Sequence, residues 1–223
     1  MHSFLVPIYG RCMGDGKFLS NFHEDGVVLR ASELPGSRFL WPSDGELIAF
    51  PTGLHAWNAT RYLLLAVCVP DPVRRIVLVT HARSFWKCPE TADELHWRSP
   101  AWGRWNGNHK ALSLHKKELA ILETPQGRRV LRKWQRRVCV YKYKHNIEVR
   151  RYLDRLQPHQ RLYHHGGKRV RSQSYWWGKI NRVDNTIIGH DAVGDIWNRL
   201  RTVHQYLKEN PQIWKQISKE DFT

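Results

Sequence analysis

The stretch Pro125–Tyr143 constrains what this chain can fold into more than any other part of it. Leu131, Trp134, Val138 and Tyr141 recur at the 3–4 spacing of a helix that buries one face. Pro125 suits the first turn, where its missing N–H is no loss. The opposite face carries one sign of charge. Arg128, Arg132 and Arg136 align at i, i+4 spacing, and so do Arg129, Lys133 and Arg137. Each like-charged pair costs about 0.2–0.5 kcal/mol in an isolated helix, so a solvated face ordinarily mixes Glu with Lys. Such a helix must set one side into a core and offer the other to water or to anions. Arg matches phosphate through its bidentate fork. The row, with Lys168, Arg169 and Arg171 further on, therefore reads as a nucleic-acid-binding surface. Contacts of this type hold a backbone and carry no sequence specificity.

The whole chain repeats the bias. It has 36 Lys plus Arg against 20 Asp plus Glu, a net charge of +16, which points to a polyanionic partner. Nucleic acid is the first candidate and an acidic macromolecular assembly the second. Hydrophobic residues make up 41% of the 223, with 11 Trp, enough for a core and too many for a disordered chain. No run approaches the roughly 18 apolar residues of a membrane span, and Pro70 cuts short the best one, Leu63–Val69. The first residues lack the basic, apolar, small-residue order of a signal peptide. The expectation is an intracellular protein of cytoplasm, nucleus or virion, with no membrane partner. Cys12, Cys68, Cys88 and Cys139 are widely spaced and the His form no H-E-x-x-H pattern, so neither a metal nor another cofactor is expected.

Along the chain, Ser3–Tyr9 reads as a strand and Phe18–Phe22 as a further extended segment. Glu24–Ser43 reads as a strand-and-loop excursion around Val27–Leu29 and Phe39–Trp41, and Leu47–Phe50 as a strand. A helix then starts at Gly53, capped by Thr52, with Leu54, Trp57, Tyr62, Leu65 and Val69 along one face. Arg74–Thr80 fits a strand or a helix. Cys88–His109 reads as irregular. Trp86, Trp97, Trp102 and Trp105, close to Arg83, Arg98 and Arg104, either fill a core or stack on bases. Ile147–Leu156 is a helix, His164–Gln173 a basic loop, and Asp191–Glu209 a helix burying Val193, Ile196, Trp197, Leu200, Val203 and Leu207. The fold class is α+β: one domain over 1–210 with strands near its start and most helix in its second half, then a tail, 211–223.

Five short pieces in a fixed order resemble the NADAR family of N-glycosidases, over roughly Phe18 to Tyr206. They are Ser20-Asn21-Phe22; Phe50-Pro51-Thr52-Gly53-Leu54-His55; Trp57, Asn58, Arg61 and Tyr62; Lys142-Tyr143-Lys144-His145; and Trp177, Gly178, Asn185, Gly189 and Arg199. Residues 24–43 and 66–105 stand as insertions. The resemblance implies a NADAR-like domain with a pocket for an ADP-ribose-type nucleotide. Asn21, Phe22, His55, Trp57, Arg61, Trp177, Gly178, Asn185 and Arg199 would line it.

The reactive positions depart from that pattern. The resemblance would place Glu at position 54, Lys at 61 and Asp at 179; this chain has Leu54, Arg61 and Lys179. Cleaving a bond between an anomeric carbon and a base nitrogen builds positive charge on the ribose, which a carboxylate stabilises and a Lys repels. Arg stays protonated and cannot attack. Glu46 (or Asp44) from the preceding strand, or Asp184 from a nearby loop, would have to supply the missing acid. Two functions follow. One is a NADAR-like scaffold that has lost hydrolysis and binds nucleic acid or an acidic assembly through its basic face. The other is an active N-glycosidase removing ADP-ribose from guanine in nucleic acid, or cleaving a related nucleotide, with Glu46 and Asp184 as catalytic carboxylates.

Overall fold

The computed structural model describes residues 4–9, 17–21, 23–40, 45–86, 116–165, 172, 174–181, 183–184 and 186–213. The chain is mixed α and β, with helix predominant and every strand short. In chain order the strands are β1 (Phe4–Tyr9), β2 (Val27–Arg30), β3 (Leu47–Phe50), β4 (Gln160–His165), β5 (Lys179–Ile180) and β6 (Ile187–Ile188). The helices are α1 (Gly53–Cys68), α2 (Pro72–Ser84), α3 (Lys116–Glu123), α4 (Pro125–His145), α5 (Ile147–Arg155) and α6 (Ala192–Glu209). No helix among the described residues is long and apolar enough to cross a membrane. The residues gather into two compact units, Ser20–Lys142 and the combination of Met1–Leu19 with Tyr143–Thr223, so the boundary falls inside α4.

In the Ser20–Lys142 unit, β2 and β3 pair antiparallel, from Val27 opposite Phe50 to Arg30 opposite Leu47. Val27, Leu29, Ile48 and Phe50 are buried, the alternation a half-covered strand requires. Phe39 sits in a 3-10 turn, Ser37–Phe39, so that apolar burst does not extend the sheet. The strand passes directly into α1. Thr52 caps it, its Oγ1 accepting from the N–H groups of Leu54 and His55 at 3.1 and 3.4 Å. Sequence spacing predicts one buried face for α1, but every residue from Gly53 to Ala66 except Arg61 is buried. The helix is enclosed on all sides, which a periodicity argument cannot see. The ambiguous Arg74–Thr80 stretch is helical, started by Pro72 behind the capping Asp71.

A buried cation ties the start of this unit to α4. The Lys142 ammonium is fully buried, 2.9 Å from an Asp25 carboxylate oxygen and 2.5 Å from the Ser20 carbonyl oxygen. Seven residues back, the Gln135 amide pairs both ways with Asn21, at 2.9 and 3.0 Å, and the Asn21 carbonyl accepts from Leu54 N–H at 2.8 Å. These contacts fold Ser20 and Asn21 into a bend and a turn after a 3-10 turn at Lys17–Leu19, where the sequence suggests an extended strand.

In the other unit, β1 and β4 pair in parallel, Phe4 opposite Gln160 through Tyr9 opposite His165. His164 and His165, expected in a basic loop, close that strand. The Arg and His of Gln160–His165 disguise a strand whose Leu162 and Tyr163 are buried. Among the described residues three strands thus lie in the second half, where mostly helix was expected and strands were placed near the start; β5 and β6 add a two-residue antiparallel ladder. On α6, Val193, Ile196, Trp197, Leu200 and Leu207 are buried as expected, whereas Val203 is exposed. Arg201 is buried instead, donating to the carbonyl oxygens of Gln160 and Gln157 at 2.5 and 2.6 Å.

Removing the Lys142 charge strands Asp25 and the Ser20 carbonyl. Lys142→Met is expected to lose about 3 kcal/mol or more in urea unfolding, since breaking a buried pair costs that much. Thr52→Ala is expected to lose about 1 kcal/mol in the same assay through the lost cap.

Candidate functional site

On α1 the polar residues are locked into an apolar surrounding. His55 is fully buried, its Nδ1 2.8 Å from Thr52 Oγ1. Trp57 is buried, and the Arg61 guanidinium lies over its ring at 6.0 Å from the centroid. Arg61 is half-buried; desolvation lowers its pKa, opposed by the charges of Tyr62 and Glu123. Between them Asn58 is fully buried, and neither its Nδ2 nor its Oδ1 has a hydrogen-bond partner. Leu54 is buried in the first turn and brings no titratable group.

The α4 row divides according to its neighbours. Arg128 pairs with Glu123 at 3.0 Å, and Arg137 pairs with Glu33 at 2.6 Å while lying over the Trp134 ring at 4.7 Å. Arg132 is half-buried. Arg129, Lys133 and Arg136 are exposed and, at i, i+4 and i+7, form one open cationic stripe. No carboxylate among the described residues pairs with these three. Lys168, Arg169 and Arg171 lie outside the described residues.

The Tyr175–Gly178 segment is part of a knot around Asp191. Asp191 caps α6 from the left-handed region, φ 47°, and is the one described non-glycine residue with positive φ. One carboxylate oxygen accepts from His164 N–H at 2.9 Å and Gly194 N–H at 3.3 Å; the other has no hydrogen-bond partner. Burial pushes this carboxyl up to about 7, against the pull of those two N–H groups. Gly194 and Gly178 make room: a Cβ at 194 would stand 2.1 Å from an Asp191 oxygen, and one at 178 would stand 3.1 Å from Asp191 Cγ. Gly178 N–H donates to the His164 carbonyl at 2.8 Å, and Trp177 stacks on the His164 ring at 4.5 Å. His164 is buried and stays neutral, burial and then His165 pushing its pKa down to about 3. Trp177 is 38% exposed, so its indole joins that knot at the surface.

The carboxylates expected to act as acids are placed differently. Glu46 is exposed beside β3, and its carbonyl accepts from Ala31 N–H. Asp184 is exposed in the β5–β6 turn, where one oxygen accepts from Thr186 N–H at 3.0 Å and Thr186 Oγ1 at 2.7 Å. Those bonds hold its pKa below the usual range. Lys179 is half-buried on β5 opposite Ile188. Arg199 is exposed, 3.9 Å from Asp195. Asn21 is spent on Gln135. Phe22 and Asn185 lie outside the described residues, as do Asp44, Trp97, Trp102 and Trp105. Trp86 is half-buried and packs edge-on against Phe50 at 5.9 Å, which favours core over base stacking for this indole.

Asn58 entered the sequence reading only as one position of a motif, and neither it nor His164 or Asp191 was placed in the site. An Asn in the middle of a largely apolar helix was a legible signal, because Asn is a poor mid-helix residue unless something holds it. Asp191 was legible as a cap and no further. Among the described residues no three His, Cys, Asp or Glu side chains gather as a metal ion would need. No family model, curated protein or solved structure matches the chain.

The Asp191 carboxyl titrates higher in the folded than in the unfolded chain, so its sign is unusual for an acid. Its contribution is intact at low pH, erodes as pH rises through about 4 to 7, and stays lost above that. Asp191→Asn is expected to abolish this erosion, which amounts to at most about 4 kcal/mol. Chemical unfolding of both proteins from pH 4 to 8 checks it: parallel stability curves would refute the assignment.

Proposed function

We propose that this protein is a divergent NADAR-like scaffold that has lost hydrolysis and binds nucleic acid through the α4 face. The observation that carries the reading is the stripe Arg129, Lys133 and Arg136, exposed and without a carboxylate among the described residues, on a helix where Arg128, Arg137 and Lys142 have found carboxylates. Three unneutralised charges at one-turn intervals, on a chain of net charge +16, suit a phosphate backbone. The loss of hydrolysis is supported by Leu54 and Lys179 at the reactive positions, and by the exposure of Glu46 and Asp184. An acidic protein assembly would present the same charge without the regular spacing of phosphates.

A second reading keeps the N-glycosidase. It draws on Asp191, whose carboxyl is half-protonated near neutral pH and so matches the pKa a general acid needs. Release of ADP-ribose from ADP-ribosylated guanine by the purified protein, lost in Asp191→Asn, is the outcome that would replace the first reading with this one.

Changing Arg129, Lys133 and Arg136 together to Gln is expected to weaken oligonucleotide binding for all sequences alike. It should also cut the slope of log affinity against log salt by roughly 2–3, one counterion fraction per lost phosphate contact. Fluorescence anisotropy between about 50 and 200 mM salt measures both. An unchanged slope would remove the α4 face from the binding surface.

A further inference from the structure

Arg137 is paired differently from the other arginines of its unit that have found a glutamate. Arg74 forks onto both oxygens of Glu118 at 2.8 and 2.9 Å, and Arg128 donates through Nε and Nη2 to Glu123 Oε2 at 3.2 and 3.0 Å. Arg137 Nη1 lies 2.6 Å from Glu33 Oε2, yet the contact lacks the alignment of a hydrogen bond, and this buried nitrogen has no hydrogen-bond partner. The charges meet while a buried donor stays unmet, which is costly. The two side chains are still 30% and 39% exposed, and an ion pair at such a surface is weak. Meanwhile the guanidinium lies over the buried Trp134 ring, 4.7 Å from its centroid, and that contact gives it a fixed seat on α4. The seat adjoins the open stripe. Arg137 stands one turn beyond Lys133 in the row Arg129, Lys133, Arg137, and it follows the exposed Arg136 directly.

We propose that Arg137 is a fourth phosphate contact of the α4 face, and that Glu33 is a built-in competitor which a bound strand displaces. Such a contact exists only if α4 binds nucleic acid, as proposed above. A phosphate presents oxygens in several directions, so it meets the donor that Glu33 leaves unmet, and the guanidinium fork takes two of those oxygens at once. Glu33 is exposed and turns to water as the like-charged phosphate arrives. Trp134 keeps Arg137 on the face during the exchange, so the cation is not lost when its carboxylate leaves. The four contacts then run from Arg129 to Arg137, about 12 Å of helix at 1.5 Å per residue. Arg128 stays out of this exchange, because Glu123 already satisfies two of its nitrogens. A carboxylate that touches no phosphate thus sets how tightly the strand is held.

Oligonucleotide anisotropy on the full chain, across the same salt range, tests this with Arg137→Gln, Glu33→Gln and the two combined. Arg137→Gln is expected to weaken binding and to cut the slope of log affinity against log salt by roughly 0.7–0.9, one phosphate contact. Glu33→Gln is expected to keep the slope and tighten binding about 2- to 5-fold, the range an exposed ion pair spans. With Arg137 already replaced, Glu33→Gln is expected to add nothing. Equal gains from Glu33→Gln in both backgrounds would mean that Glu33 acts by repulsion at a distance, and would overturn the exchange. An unchanged slope in Arg137→Gln would overturn the contact itself. Urea unfolding checks that each variant folds, and Arg137→Met, which keeps an apolar stem over Trp134, takes the place of a glutamine variant that does not. If wild type binds no strand, the nucleic-acid reading and this contact fall together. If it binds, and the Arg129, Lys133 and Arg136 triple variant loses slope while Arg137→Gln does not, only the fourth contact falls.

Discussion

A lysine with no access to water sets the arrangement of the Ser20–Lys142 unit. The Lys142 ammonium can remain charged in its buried position only with an anion and a carbonyl beside it, and Asp25 and Ser20 supply them. Meeting that demand draws residues 20–25 onto α4. Asn21 then lies where it can exchange both hydrogen bonds with Gln135 and, beside Thr52 Oγ1, accept from the Leu54 N–H of α1. Gly53 belongs to the same constraint, because a Cβ there would stand 3.0 Å from the Asn21 oxygen and 3.1 Å from Val138. The start of α1, and with it the positions of His55, Trp57, Asn58 and Arg61, is therefore held from α4 through polar contacts as well as apolar packing.

The same helix shows how pairing sorts charges that look alike in sequence. Six cations line the outer face of α4, but Glu123 and Glu33 engage Arg128 and Arg137 from outside it. Exposed pairs of this sort add little stability, about 0–1 kcal/mol. Their effect is on binding: they remove two cations from the surface and, with Arg132 half-buried, leave Arg129, Lys133 and Arg136 as the exposed stripe a polyanion meets.

In the other unit the Trp-Gly step and the start of α6 form a knot rather than an open pocket. Trp177 covers His164, Gly178 makes room for Asp191, and Asp191 ties the end of β4 to the first turn of α6. A strained backbone and a carboxyl that resists ionisation are the costs of that cap. Of the residues a motif comparison groups as pocket-lining, Asn21 braces and Arg199 is exposed, and the buried arginine of α6 is Arg201.

Much of the local structure was legible in the residues. Thr52, Asp71 with Pro72, and Pro125 mark helix starts, because a capping oxygen or a missing N–H acts within one turn. Alternation at Leu47–Phe50 and the 3–4 stripe of α4 gave a strand and a helix for the same local reason. Tertiary structure decided what depends on partners distant in sequence. Gln160–His165 becomes a strand because β1, some 150 residues earlier, lies alongside it. The enclosure of α1 makes Asn58 an orphan, and burial makes Asp191 a weak acid; neither follows from neighbours in the chain. Helical period and caps are short-range and can be read from the sequence. Burial, and which charge finds a countercharge, are set only when distant segments pack.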